Sequence, residues 1–247
     1  MHCRKTGGSS CAAYLNQYIG PYDIQVGVWD ECLELGARYN KRFYRDVFSS
    51  DGCRIMGRLA LERMLRFRSF NRRALLQKTQ KELYQKKFDD SPAHPAAATV
   101  FAWAPQEWRE YYKFGFVRNP YDLAVSDYKW RTRGRPNVSF TEYLERLKDP
   151  SRPDPEGVVP RAKSNWEMYT IDDKSALDFI GKYEQLLDGI RHICDVIGLP
   201  FDAGHFPHAK KTAVRDLTHY RDAYNDYQVS LVSEIYAKEI REFSYSF

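Results

Sequence analysis

Short apolar runs alternate with amphipathic segments along this chain. The runs at 111–117 and 176–181 have the length of buried strands, and 22–28 is rich in β-type residues, so all three are predicted strands. Helical spacing of apolar positions, or a proline at a first turn, predicts helices at 29–35, 54–87, 105–108, 121–131, 140–147, 183–197 and 227–243. The segment 96–104 fits either element, and 39–51 and the proline-rich 149–160 are predicted loops. This order predicts an α/β fold with a mostly parallel sheet and a ligand at the carboxyl ends of its strands.

Length and composition agree with one domain over residues 1–247. No apolar run is long enough to span a membrane and no apolar leader precedes residue 4, so we expect a soluble, cytoplasmic protein without a membrane anchor. The five cysteines are scattered and form no Cys-x-x-Cys pair. That pattern argues against a disulfide framework and against a zinc site, and it fits a reducing compartment.

The net charge of +5 is concentrated in one segment. Between residues 54 and 87 eleven Lys or Arg face two acids, so this stretch carries +9 and the rest of the chain −4. We call residues 53–88 the basic segment. It predicts either a docking surface for a polyanion, an acidic glycan or a membrane face, or a solvated helix whose long basic stems cover apolar surface.

The chain begins with a candidate anion-binding loop, Arg4-Lys5-Thr6-Gly7-Gly8-Ser9-Ser10, followed by a predicted helix. The two glycines let the backbone approach a ligand closely, and the N–H groups of a helix start favour an anion. The nucleoside triphosphatase signature differs, because its lysine follows the glycines and is joined by a hydroxyl for magnesium. A plain turn rich in serine and glycine is the alternative interpretation.

A second candidate anion site follows the strand predicted at 111–117. The sequence Phe-Gly-Phe-Val-Arg-Asn-Pro-Tyr-Asp occupies 114–122, and Ser126 lies eight residues after Arg118. An arginine at the end of a buried strand and a serine about two helical turns later could bind one phosphate together. Alternatively, Arg118 pairs with a carboxylate such as Asp122 and Ser126 lies in a helix groove.

Together the two motifs resemble the sulfotransferases that use 3′-phosphoadenosine 5′-phosphosulfate (PAPS). The likeness is to the carbohydrate branch related to heparan sulfate 2-O-sulfotransferase and its bacterial relatives. Residues 4–10 are similar to the 5′-phosphosulfate loop, with Ser9 for threonine, and 114–126 to the 3′-phosphate motif. Further similarity lies at 178–184, 219–224 and 235–247, whereas the basic segment and the proline-rich loop have no counterpart.

The resemblance implies a P-loop-like three-layer α/β/α fold and transfer of a sulfuryl group from PAPS by in-line displacement, with no metal. The acceptor would be a hydroxyl of a glycan or small metabolite, and O-sulfation is favoured over N-sulfation. By the family pattern Lys5 would be catalytic, and a larger set would bind the donor: Arg4, Lys5, Thr6, Gly7, Gly8, Ser9, Ser10, Arg118, Ser126, Lys210, Lys211 and Arg215.

Transfer to a hydroxyl also needs a general base, for which histidine is suited near neutral pH. Family relatives have a histidine about twenty residues before the Phe-x-Phe-Val-Arg strand, and His94 occupies that place. His192 is predicted to be structural. The reserve bases are Asp30, Glu31 and Glu34.

Two other function classes are weighed against this one. A P-loop kinase or other nucleotide-binding enzyme is disfavoured by the position of Lys5 and by the lack of a recognisable magnesium carboxylate. A basic nucleic-acid-binding protein would use the +9 segment but would leave both phosphate motifs unexplained. We therefore expect no nucleic-acid partner.

Overall fold

The computed structural model describes residues 1–27, 30–66, 71–88, 92–134, 137–207 and 219–247. Its helices before the first strand are α1 Gly8–Leu15, α2 Asp30–Glu34, α3 Lys41–Val47, α4 Ser50–Leu65, α5 Arg72–Phe88, α6 Ala97–Trp103 and α7 Pro105–Glu110. After it come α8 Pro120–Arg131, α9 Phe140–Lys148, α10 Trp166–Tyr169, α11 Leu186–Ile197, α12 Asp226–Ile235 and α13 Ala237–Glu242. The strands are β1 Phe114–Val117, β2 Thr170–Ile171, β3 Lys174–Ser175 and β4 Phe179–Lys182.

The central pairing is a parallel one between β1 and β4. Phe114 lies opposite Phe179, and Val117 lies opposite Lys182, so both strands end at the same edge. Strands β2 and β3 form a separate antiparallel hairpin. The parallel pair flanked by helices confirms the predicted α/β fold.

Apolar side chains project from both faces of the parallel pair, because successive side chains along a strand point to opposite faces. Phe116 and Phe179 pack with residues of α1 and α11, among them Tyr14 and Ile190. On the other face Ile180 joins a cluster around Cys3, Met168, Tyr169 and Leu177. Helices are therefore present on both sides of the strands, as a layered α/β arrangement requires.

Two glycines make room for the Phe116 ring. A Cβ at Gly181 of β4 would come within 2.5 Å of that ring, and one at Gly189 of α11 within 2.6 Å. The ring therefore fits between the partner strand and the helix that covers it.

The largest core cluster joins α8, α9 and α12. Its fully buried side chains include Ala124, Leu144, Leu147 and Val232. These contacts hold α8, the helix that follows β1, against the body of the protein. Because Ser126 lies on α8, the core also fixes its distance from the strand end.

Most of the predicted elements are confirmed, including the strands at 114–117 and 179–182 and the helices α7, α8, α9 and α11. The basic segment is helical in its described parts, as α4 and α5, and 96–104 proves to be helix α6. The predicted C-terminal helix is two helices, because α12 ends at Ile235 and α13 begins at Ala237.

Two predictions are wrong. Residues 39–51 contain α3 and the start of α4 instead of a loop. Asn40 and Ser49 accept hydrogen bonds from the backbone N–H groups of Phe43 and Gly52, so both helices begin at side-chain caps that the polar composition concealed. Residues 22–27, the described part of a predicted strand, form no strand.

Candidate functional site

The anion-binding loop lies where the chain enters α1. Gly7 is the N-cap of this helix, has a left-handed φ of 77°, and provides no side-chain cap. A Cβ at Gly7 would approach Leu186 Cδ2 to 2.8 Å and Tyr183 Cε2 to 3.2 Å. Glycine therefore satisfies both the backbone angle and the close packing at this position.

Lys5 takes a backbone conformation that is rare for its residue type. Its φ is 60°, in the left-handed region, which costs on the order of 1 kcal/mol for a residue with a Cβ. The Arg118 guanidinium donates a hydrogen bond from Nη1 to the Lys5 carbonyl oxygen over 3.0 Å. This bond joins the two sequence motifs and holds the Lys5 peptide in place.

Arg118 is held from four sides. Its Nε donates to Asp122 over 2.8 Å, its Nη1 donates to Ser126 Oγ over 3.2 Å as well as to Lys5, and its guanidinium lies 4.5 Å from the Tyr183 ring centroid. The pair with Asp122 that the alternative interpretation expects is therefore present, and Arg118 also contacts Ser126. A guanidinium group held in one orientation in this way is suited to bind an anion at the strand edge.

Arg4 lies inside the protein, not on the surface of the loop. Its side chain pairs with Asp127 over 3.2 Å, and its backbone N–H and carbonyl both bond the Asn165 amide. The same Asp127 oxygen accepts from Arg131 Nε and Tyr143 OH, each over 3.1 Å. Arg4 therefore fixes the base of the loop.

The hydroxyls of the loop also have partners within the protein. Thr6 Oγ1 donates to the Cys3 carbonyl over 3.0 Å, and Ser9 Oγ donates to Glu31 Oε2 over 3.1 Å. The backbone N–H groups at the start of α1 differ, because the first turn of any helix has no internal acceptors for them. They are the groups by which this loop can bind an anion.

His94 lies beside the loop, close to His2. The two ring centroids are 4.8 Å apart, and His94 Nδ1 is 2.8 Å from the His2 carbonyl oxygen. A carbonyl only accepts, so Nδ1 must carry the proton and Nε2 holds the free lone pair in the neutral ring. Desolvation lowers the pKa of His94 most, with a smaller lowering from Arg4 and Arg131 and opposition from the His2 carbonyl and Asp127.

The other candidate bases are placed differently. Asp30 Oδ1 accepts from Gln77 over 3.0 Å, Glu31 contacts the loop through Ser9, and Glu34 is exposed. His192 is exposed on α11 with its ring 4.7 Å from that of Phe179. Only Glu31 among the reserve bases is thus in contact with the loop.

Part of the expected donor site cannot be described. Lys210, Lys211 and Arg215 lie outside the described residues, between 207 and 219. Among the residues that are described, His, Cys, Asp and Glu form no group of three or more that could bind a metal ion.

No helix in the described part of the chain is long and apolar enough to cross a membrane. All five cysteines are free thiols in the structure.

Two residues outside the predicted site set contact it in the structure. The first is Tyr183, which directly follows β4. Because Val117 of β1 pairs with Lys182 of β4, the residues that follow them, Arg118 and Tyr183, lie next to each other at the strand edge. Trp130 is the other, with the Lys5 ammonium 5.8 Å from its ring centroid. The parallel pairing of two predicted strands could have indicated Tyr183, whereas no local pattern links Trp130 to Lys5.

Comparison with known proteins gives one finding. A model of the sulfotransferase family matches residues 4–246. The match runs from the anion-binding loop to the penultimate residue and includes Arg118, Ser126 and His94. No curated protein and no solved structure has detectable similarity to the chain.

Proposed function

Because the chain belongs to the sulfotransferase family, we propose that it transfers a sulfuryl group from PAPS to a hydroxyl of a glycan or small metabolite. The single observation that carries this proposal is the contact of Arg118 with both Ser126 and the Lys5 carbonyl. It brings two anion-binding motifs, 113 residues apart, to one edge of the parallel strands. PAPS has a phosphate on each side of its ribose, which matches a site with two such motifs.

The start of α1 would bind the 5′-phosphosulfate. The N–H groups of Gly8, Ser9 and Ser10 open this helix, and Gly7 leaves no side chain between them and a ligand. The positive end of the helix dipole favours the same charge. Thr6 would contribute through its backbone, since its hydroxyl already donates to Cys3.

Arg118 and Ser126 would bind the 3′-phosphate. Asp122 contacts two of the three guanidinium nitrogens of Arg118. The Ser126 hydroxyl accepts from Arg118 and has no acceptor of its own among the described residues, so its proton can be donated to a phosphate. Tyr183 supports the guanidinium from one face. Arg4, expected among the donor ligands, is proposed instead to hold the loop through its buried pair with Asp127.

The donor supplies a sulfuryl group, whose sulfur forms a bond to the acceptor oxygen as its bond to the 5′-phosphate oxygen breaks. Lys5 would balance the charge that develops on that departing oxygen, and the α1 amides would hold the 5′-phosphate still. His94 would take the acceptor proton at Nε2, the nitrogen that its hydrogen bond to His2 leaves free. A lowered pKa keeps this nitrogen unprotonated at neutral pH.

Four further assignments remain predictions. Lys210, Lys211 and Arg215 would close over the nucleotide, the acceptor would be O-sulfated, and the protein would be cytoplasmic. The basic segment would recruit an acidic acceptor. In support of that role, Gln77 on α5 bonds Asp30 on α2, and the next residue, Glu31, bonds Ser9 of the loop.

The test is transfer of radiolabelled sulfate from PAPS to a panel of glycans and phenols, with products identified by mass spectrometry. The wild-type protein should form sulfated product, and Lys5→Ala should not. Arg109→Ala is the control, because this exposed arginine on α7 has no place in the site. Transfer by wild type and by Lys5→Ala at similar rates would reject the role of Lys5.

A further inference from the structure

An open cavity lies at the C-terminal end of α8, next to the loop. Its volume is about 390 Å³ and it is lined by Trp130, Arg131, Arg133 and Gly157. Trp130 is one helical turn beyond Ser126 and is 48% exposed, a large fraction for a tryptophan. Gly157 has a left-handed φ of 62°.

This cavity is adjacent to Lys5, which is proposed to balance the charge on the departing 5′-phosphate oxygen. The Lys5 ammonium lies 5.8 Å from the Trp130 ring centroid. Arg131 bonds Asp127, which in turn pairs with Arg4 at the base of the loop. A molecule stacked on Trp130 would therefore bring its hydroxyl to the transfer site.

The charge of the cavity is positive and only part of it is neutralised. The Arg131 guanidinium lies 5.7 Å from the Trp130 ring centroid, and its Nε is engaged by Asp127. Arg133 is exposed and makes no ion pair with the described part of the chain. An aromatic face beside an unneutralised guanidinium is suited to a ring with an anionic substituent.

We propose that Trp130 and Arg133 form the acceptor subsite, in which a sugar or aromatic ring stacks on Trp130 and its carboxylate or sulfate pairs with Arg133. The proposal rests on the sulfotransferase function proposed above and adds the acceptor's chemical class. Trp130 sets the ring position, and Arg133 selects acidic over neutral acceptors.

The test uses two matched pairs of probes, each offering an acidic ring compound and its neutral analogue. They are 4-nitrophenyl β-glucuronide with 4-nitrophenyl β-glucoside, and 3-hydroxybenzoate with 3-hydroxybenzyl alcohol. Wild type should sulfate the acidic member of a pair with a KM about tenfold lower than the neutral one, the size expected of one charge-assisted contact. Arg133→Ala should remove that preference, and Arg109→Ala should keep it.

Trp130→Ala should raise KM for both members of a pair. Trp130→Phe keeps an aromatic face, so its KM values should be close to those of wild type. Binding of adenosine 3′,5′-bisphosphate by calorimetry should be unchanged in each variant. Three results would each overturn the subsite. The first is a preference for acidic probes that survives Arg133→Ala, and the second is loss of bisphosphate binding in Trp130→Ala. The third is sulfation of other hydroxyls but of neither acidic probe. Absence of both bisphosphate binding and sulfate transfer in wild type would reject the proposed function itself, and the subsite with it.

Discussion

Arg118 donates a hydrogen bond to the Lys5 carbonyl oxygen over 3.0 Å. The arginine directly follows the buried strand β1, and the lysine lies in the loop that leads into α1. Because Arg118 also contacts Ser126 and Asp122, this one side chain connects the loop, the strand end and α8. A change at Arg118 should therefore affect donor binding and loop geometry together.

Arg118→Ala should weaken binding of adenosine 3′,5′-bisphosphate about 10- to 100-fold, because a hydrogen bond to a charged group contributes about 1.5–3 kcal/mol. Arg118→Lys should recover only part of the affinity, since an ammonium cannot form the two-pronged contact. Isothermal titration measures both. Binding by Arg118→Ala as tight as that of Arg109→Ala would contradict the assignment.

Lys5→Ala should lower kcat about 10²- to 10³-fold, the loss typical of a group that stabilises charge in the transition state. The affinity for adenosine 3′,5′-bisphosphate should change much less, because that product no longer contains the bond being broken. Steady-state kinetics with titration of the product separates the two effects. A rise in KM at unchanged kcat would assign Lys5 to donor binding alone.

His94→Gln should lower kcat/KM about 10²- to 10⁴-fold, as expected for loss of a general base. Burial lowers the pKa of His94 below its ordinary 6.5. The acid-side decline of kcat/KM should therefore have its midpoint below pH 6.5. His192→Gln, at an exposed position, is the matched control, and a wild-type decline centred above pH 6.5 would contradict the role of His94.

Asp127→Ala should destabilise the fold by about 3–5 kcal/mol, because it leaves the buried Arg4 guanidinium without its carboxylate. Chemical denaturation measures the change. Glu234→Ala removes the partner of Lys148 in an exposed pair and should have little effect. Equal, small losses in the two variants would show that the Arg4 pair does not hold the loop.

The sequence predicted the elements that carry the site better than it predicted the site's contacts. The apolar run before Arg118 and the helical spacing after it located β1 and α8, since both signals are local. The loop was recognised from its glycines. By contrast, the polar stretch that predicts a loop contains Asn40, the side-chain cap at which α3 begins.

Arg4 and Tyr183 show what local patterns lack. Arg4 lies in the candidate anion-binding loop, where a basic residue is predicted to bind the donor. Its burial depends on Asp127, a partner 123 residues away on α8. Tyr183 likewise reaches Arg118 only because β1 and β4 pair in parallel with one particular register.

The most direct test of the central claim compares adenosine 3′,5′-bisphosphate with adenosine 5′-monophosphate in calorimetric titrations, in EDTA and again with magnesium. The bisphosphate should bind wild type about tenfold or more tighter than the monophosphate, because Arg118 and Ser126 contact its 3′-phosphate. This difference should not need magnesium and should disappear in Arg118→Ala. Equal binding of the two nucleotides by wild type, or a preference for magnesium-bound ATP over both, would contradict it.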